Sequence, residues 1–220
     1  MVTVEFIGCP GSGKSTICRS LMSHLKDKGF SVGNIHRDEI RKGILSRKIL
    51  SAKSMYLPRT KSLRRAMADY TKGIPHYHGG IWERDLLNAA YKLEQRYAQK
   101  MDYALFDEGP TQYVSAMMHD IEIDDRIQPL LDEMNKSIYC NNVIAFFIVV
   151  DTNNLIERIS QRDRKGDRFL TDDIEEMRSR IIQKENNLRY LASHLNYSSI
   201  YYIENNELAD AIARVKNILG

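Results

Sequence analysis

Between Gly8 and Ser15 the chain reads Gly-Cys-Pro-Gly-Ser-Gly-Lys-Ser, and Thr16 follows. Glycine at the first and sixth places, then lysine and a hydroxyl, is the set of residues needed to hold a polyphosphate. Several backbone N–H groups must converge on one anion, so the chain has to curl tightly. Gly8, Gly11 and Gly13 permit that curl, with Pro10 and Ser12 completing the loop. Lys14 is expected to reach the outer phosphates, Ser15 to ligate Mg²⁺, and Thr16 to add a hydroxyl near the α-phosphate.

Three further groups could act with such a loop. The apolar run Tyr103-Ala104-Leu105-Phe106 ends in Asp107-Glu108. An acid at the end of a strand beside a phosphate loop can serve the metal, directly or through water. Asp107 is the candidate ligand, and the division of labour with Glu108 stays open. The second group is Asp38 and Arg41, in the segment His36 to Leu45. It follows a predicted strand, and open parallel sheets bind ligands outside the carboxyl ends of their strands. An alcohol acceptor needs a carboxylate to orient or deprotonate its hydroxyl, a role for either Asp38 or Glu108. Arg84, just past the loop Gly73 to Gly80, is a further candidate to touch the acceptor. The third group is basic: Arg158 on a predicted helix, then Arg162, Arg164, Lys165 and Arg168 in a short loop.

Other clusters read as structure. Arg59, Lys61, Arg64 and Arg65 read as a solvated face, Trp82 as core, and His76 and His78 lack further ligands for a metal. The stretch Ile121 to Arg126 is locally acidic and reads as a surface loop.

The elements that must position these residues follow from periodicity. Strands are predicted at 2–7, 30–35, 103–107, 143–150 and 199–203. Apolar residues at 17, 18, 21, 22 and 25 share one helix face, which starts where the glycine loop stops. Its N-terminus would add free N–H groups and a dipole that favour an anion. Residues 46–100 read as mostly helical. Residues 111–140 read as helical and broken near Pro129. Further helices are expected from Leu155 to Arg162, from Thr171 to about Leu195, and from Glu207 to Leu219. Alternating strands and helices imply an α/β fold with a five-stranded parallel sheet, doubly wound. A single domain over 1–220 is expected, with a helical acceptor-binding region at 44–100 and a short lid at 161–170.

With 220 residues, 43% hydrophobic and 28% charged, an ordinary core can be built. The net charge of +3 is too weak to indicate a nucleic-acid partner. No stretch reaches the roughly 20 apolar residues of a membrane helix. The core strand begins at residue 2, so no signal peptide is expected. Cys9, Cys18 and Cys140 show no metal-ligand spacing, and reduced thiols of a cytoplasmic protein are expected.

Gly8–Ser15, the Asp107-Glu108 strand end and Arg158…Arg162…Arg168 together resemble the nucleoside and nucleotide kinases of the phosphate-loop (P-loop) class. Leu155-Ile156-Glu157-Arg158-Ile159 followed by Asp167-Arg168-Phe169 looks most like thymidylate kinases. Asp38-Glu39-Ile40-Arg41-Lys42-Gly43 is similar to adenylylsulfate kinases, in which an acid and an arginine after the second strand face the acceptor. The resemblance implies ATP with its phosphates on Gly11–Thr16, Mg²⁺, lid arginines closing over them, and Asn205 and Asn206 bordering the adenine. It departs from thymidylate kinases in one place. They carry an Asp-Arg pair after the third strand, and here the sequence is Asp107-Glu108-Gly109, without the arginine that would grip a nucleotide acceptor.

The implied activity is transfer of the γ-phosphoryl group of ATP to a small acceptor: a nucleoside, a nucleotide or another hydroxyl metabolite. A regulatory ATPase acting on a partner protein and a polynucleotide 5′-end kinase are the competing readings. No membrane partner is expected, nucleic acid is disfavoured, and a homodimer stays open.

Overall fold

The computed structural model describes residues 1–34, 58–72, 74, 80–118, 122–140, 142–161, 171 and 173–219. Asp38, Arg41, Arg162, Arg168 and most of the expected lid lie outside the described residues, as do His76 and His78.

Five strands form one parallel sheet: β1 (Val2–Ile7), β2 (Val32–Asn34), β3 (Tyr103–Phe106), β4 (Val143–Val149) and β5 (Ser199–Glu204), in the order β2-β3-β1-β4-β5. Central β1 pairs with β3 from Val2↔Tyr103 to Glu5↔Phe106, and with β4 from Thr3↔Val143 to Ile7↔Phe147. Alternate side chains of a strand point to opposite faces. Val4 and Phe6 therefore pack with Ile17, Leu21, Phe146 and Ile148 on one side. Ile7 packs with Ala145, Phe147 and Leu155 on the other. Both faces are covered, as parallel sheets require.

α1 (Lys14–Asp27) buries Ile17, Cys18, Leu21 and Leu25, with Met22 at the margin, so the expected face is the one that packs. α2 (Pro58–Thr71) buries Leu63, Met67 and Tyr70, while Lys61, Arg64 and Arg65 are exposed and Arg65 pairs with Asp69. α3 (Gly80–Ala98) follows. All eight residues of α4 (Pro110–Met117) are buried. α5 (Gln128–Ser137), α6 (Thr152–Ser160), α7 (Ile174–His194) and α8 (Leu208–Leu219) are the remaining α-helices among the described residues. Asp151 caps α6 and Asp173 caps α7, each accepting two backbone N–H groups.

Two expectations need correcting. Among the described residues the second strand covers Val32–Asn34, so Phe30 and Ser31 lie outside it. Phe30 is 39% exposed and meets Tyr103 edge-on, and the Ser31 amide and hydroxyl both donate to the Asp102 carboxylate. The Asp102 and Tyr103 amides also donate to the Ser31 carbonyl, so side-chain and backbone bonds together hold the chain there. The break expected near Pro129 is present: α4 ends at Met117 and α5 starts at Gln128, with Pro129 in its first turn, where a missing N–H costs nothing. Finally, Ile121 to Arg126 is not merely surface: Ile123 is buried and its amide donates to Asn187 on α7 at 3.2 Å.

Candidate active site

The glycine loop joins β1 to α1 at the carboxyl end of the sheet. Gly8, Gly11 and Gly13 have φ of 151°, 87° and 85°. Gly13 is the N-cap of α1, with no side chain bonding the first turn. A Cβ there would stand 2.5 Å from the Asn205 amide nitrogen, so glycine is required by angle and by space.

Lys14 is only 9% exposed. Its ammonium sits inside the curl, donating to the carbonyls of Gly8 at 2.6 Å and Cys9 at 2.9 Å, and to Ser12 Oγ at 3.5 Å. Two distant side chains hold the loop from outside. Gln112 on α4 donates to the Gly8 carbonyl at 2.5 Å. Asn205, after β5, donates to the Ser12 carbonyl at 2.7 Å. Ser15 and Thr16 lie in the first turn of α1. Arg19 donates to the Ser15 carbonyl and to the Thr16 hydroxyl. Cys9 is buried, and burial pushes its thiol up to about 11. The thiol is therefore neutral at physiological pH and no nucleophile.

Asp107 and Glu108 divide as one buried and one exposed residue. Asp107 leaves β3 one residue past the Phe106–Glu5 pair, beside the strand that ends at Ile7. The next turn starts α4, and Tyr113 donates to the Glu108 carbonyl at 2.9 Å. Tyr113 has its phenol raised well above 10, first by burial and then by Asp85, Glu108, Glu5 and Asp107. The carboxyl groups of Asp85, Glu108, Glu5 and Asp107 therefore lie around the Tyr113 phenol. Ser15 and Asp107 offer hard oxygen donors of the kind Mg²⁺ prefers. Among the described residues no group of three or more His, Cys, Asp or Glu could hold a metal.

Arg158 borders the loop from α6: a Cβ on Gly11 would come 3.7 Å from its Cβ. Its guanidinium donates to the Asn205 carbonyl at 3.1 Å and the Asn206 carbonyl at 3.5 Å. The structure thus brings Arg158, Asn205 and the glycine loop together. Arg84 on α3 is exposed and pairs with its neighbour Asp85 at 3.5 Å.

Glu5, Gln112 and the bond from Asn205 to Ser12 were not foreseen. Glu5 is fully buried in the middle of β1. It accepts from Tyr139 Oη at 2.7 Å, Tyr197 Oη at 2.8 Å and the Thr111 amide at 3.0 Å. The one signal in the sequence is a carboxylate inside an otherwise apolar strand. Burial raises the Glu5 carboxyl above 4.5, against the lowering effect of those donors. The folded value exceeds the unfolded one, so its contribution to stability is full below about 4.5 and is lost as pH rises through the folded value. Glu5→Gln, which cannot ionise, is expected to gain stability relative to wild type over that rise. Urea midpoints across pH check this, and a wild-type advantage that grows with pH would contradict it.

The sequence matches the family model described as AAA domain over residues 4–183, well over half of the chain. Among solved structures, deoxyadenosine kinase from M. mycoides with bound dATP matches at TM-score 0.55 and 16% identity, covering 100% of this chain and 99% of that one. Shikimate kinase from Bacteroides thetaiotaomicron matches at 0.50 and 12% identity, covering 99% and 98%. Shikimate kinase from Acinetobacter baumannii in complex with shikimate matches at 0.50 and 11%, covering 100% and 93%. At such identities the likeness is one of fold. No curated protein matches the sequence. The chain belongs to the AAA-domain family and is built on the fold of the phosphate-loop kinases.

Proposed function

We propose that this protein is an ATP-dependent kinase that moves the γ-phosphoryl group to a nucleoside, a nucleotide or another small hydroxyl metabolite. One observation carries the reading. The Lys14 ammonium lies in a loop of three positive-φ glycines that opens directly into the side-chain-free N-terminus of α1. Fixed N–H groups, a helix dipole and one ammonium at a single place suit a polyphosphate. The full-length fold likeness to deoxyadenosine and shikimate kinases supports the same class, and no helix among the described residues is long and apolar enough to cross a membrane.

In this reading Gly8 to Thr16 cradle the phosphates of ATP. Lys14 supplies positive charge where the transferring group gains negative charge, and Arg162 and Arg168 add to it from the lid. Mg²⁺, held by Ser15 and Asp107, would neutralise phosphate charge. Phosphoryl transfer asks mainly for in-line positioning and for such charge. Arg158 and Asn205 hold the wall that borders the base. Asp38, Arg41 and Arg84 serve the acceptor, and Asp38 or the exposed Glu108 orients its hydroxyl.

The test is ADP release with Mg²⁺ and ATP against nucleosides, nucleoside monophosphates, shikimate, adenylylsulfate and an oligonucleotide with a free 5′-hydroxyl. Acceptor-dependent release establishes the kinase and its acceptor class. Release that no acceptor changes would replace this reading with a regulatory ATPase. For Asp38→Asn, turnover is expected to fall by roughly 10²-fold with little change in ATP affinity, the size of a general-base contribution. An unchanged turnover number transfers the role to Glu108.

A further inference from the structure

Glu5 lies outside every role given above, although it is the carboxylate nearest in sequence to the glycine loop. Its surroundings are those of a built joint. One carboxylate oxygen accepts from the amide of Thr111, in the first turn of α4. The other accepts from Tyr139, which follows α5, and from Tyr197, which precedes β5. The Thr111 hydroxyl lies 2.9 Å from Tyr139 Oη and 2.6 Å from Tyr197 Oη, which closes the network.

The N-cap of α4 is Gly109, which has no side chain to bond the exposed N–H groups of the first turn. Helix starts ordinarily receive that bond from the cap residue itself. Here the acceptor comes from a different element, strand β1. Gly109 also leaves the room it needs, since a Cβ at 109 would collide with the Glu5 carboxylate. The next two residues of α4 act on the site directly. Gln112 holds the Gly8 carbonyl and Tyr113 holds the Glu108 carbonyl. Three consecutive residues, 111 to 113, therefore bond to Glu5, to the glycine loop and to the acidic turn.

We infer that Glu5 is a positioning residue for phosphoryl transfer: from strand β1 it caps α4 and so sets the glycine loop and the Asp107-Glu108 turn in register with each other. The transfer role rests on the kinase reading, and the joint itself does not. A buried carboxylate is a costly choice for a strand core, where an apolar side chain would pack without desolvation. Its retention makes sense where placement rather than stability is served. A misplacement of about 1 Å at a transfer site can cost 10²-fold in rate.

The test compares Glu5→Met, which keeps the volume and removes the acceptor, with Glu5→Gln, which keeps an oxygen for the Thr111 amide. Val215→Ala, a core change in α8 away from the joint, serves as the control for general loss of stability. Hydrogen exchange without nucleotide reads the joint. In Glu5→Met, amides at 8–12 and 107–113 are expected to exchange roughly tenfold faster, a local opening that Glu5→Gln and Val215→Ala lack. Steady-state kinetics read the consequence. Turnover in Glu5→Met is expected to fall by roughly tenfold or more with a smaller change in KM for ATP, and Glu5→Gln is expected to recover most of it. Should Glu5→Met not fold, Tyr197→Phe removes one donor and is expected to move exchange and turnover in the same direction. Equal exchange in wild type and the acceptor-less variant would overturn the inference. So would matching effects in Glu5→Met and Val215→Ala. The expected exchange pattern in Glu5→Met beside a wild type that transfers no phosphoryl group would keep the joint, remove its catalytic purpose and refute the kinase reading instead.

Discussion

Lys14→Ala is expected to abolish phosphoryl transfer while the fold stays intact. In wild type the ammonium is nearly buried and held by two loop carbonyls and a hydroxyl. That places a fixed positive charge where the outer phosphates would lie. Removing one pre-positioned charge or donor from a transition-state site costs on the order of 10²–10³ in rate, about 3–4 kcal/mol. Stability should respond much less, because removing a buried ammonium also removes its desolvation cost. The check is turnover beside a thermal melt. A variant that melts like wild type and keeps its turnover would exclude the proposed mechanism.

The second large effect is expected at Gly13. Gly13→Ala puts a side chain at φ 85°, and its Cβ enters the space of the Asn205 amide. The left-handed angle alone costs an L-residue roughly 1–2 kcal/mol. Loss of the 2.7 Å bond from Asn205 to the Ser12 carbonyl adds about 1 kcal/mol. For a chain of this size the sum corresponds to a fall in Tm of about 4–12 °C. Nucleotide binding should fail more completely than folding, since the strain sits at the N-terminus of α1, where the proposed reading puts the phosphates. The measurement is Tm together with binding of a fluorescent ATP analogue. Normal binding in a destabilised variant would show that the loop tolerates a side chain at its last turn. The converse variant, Asn205→Ala, keeps Gly13 unstrained and is expected to weaken binding with a smaller loss of Tm.

Legibility in the sequence followed chain distance. The glycine loop was readable because its parts lie within nine residues and one strand and one helix present it. The strand end at Asp107 was readable because an apolar run stops at an acid. The sheet was readable because each strand is a short apolar run between helical patterns. The joint around Glu5 was not. Its donors stand at 111, 139 and 197, more than a hundred residues from the acceptor. No local pattern marks a tyrosine whose hydroxyl serves another element. Gln112 was hidden for the same reason, within a helix whose residues are all buried. The bonds between Ser31 and Asp102, seventy-one residues apart, were hidden for the same reason. Pro129 was legible as a break because proline is tolerated in the first turn of a helix and not in its interior.

The bond from Asn205 to the Ser12 carbonyl has a bearing on synthesis. The glycine loop leaves the ribosome before Asn205, which comes 193 residues later. Gln112, which also holds the loop, emerges between the two. At roughly 5–20 residues per second, the loop waits on the order of ten seconds or more for its last support. A nascent chain stalled before β5 would carry the complete glycine motif without the side chain that holds Ser12 in place. Affinity for ATP on such chains should therefore rise late, once Asn205 is free to fold back onto Ser12. The glycine loop would become competent only long after its own synthesis.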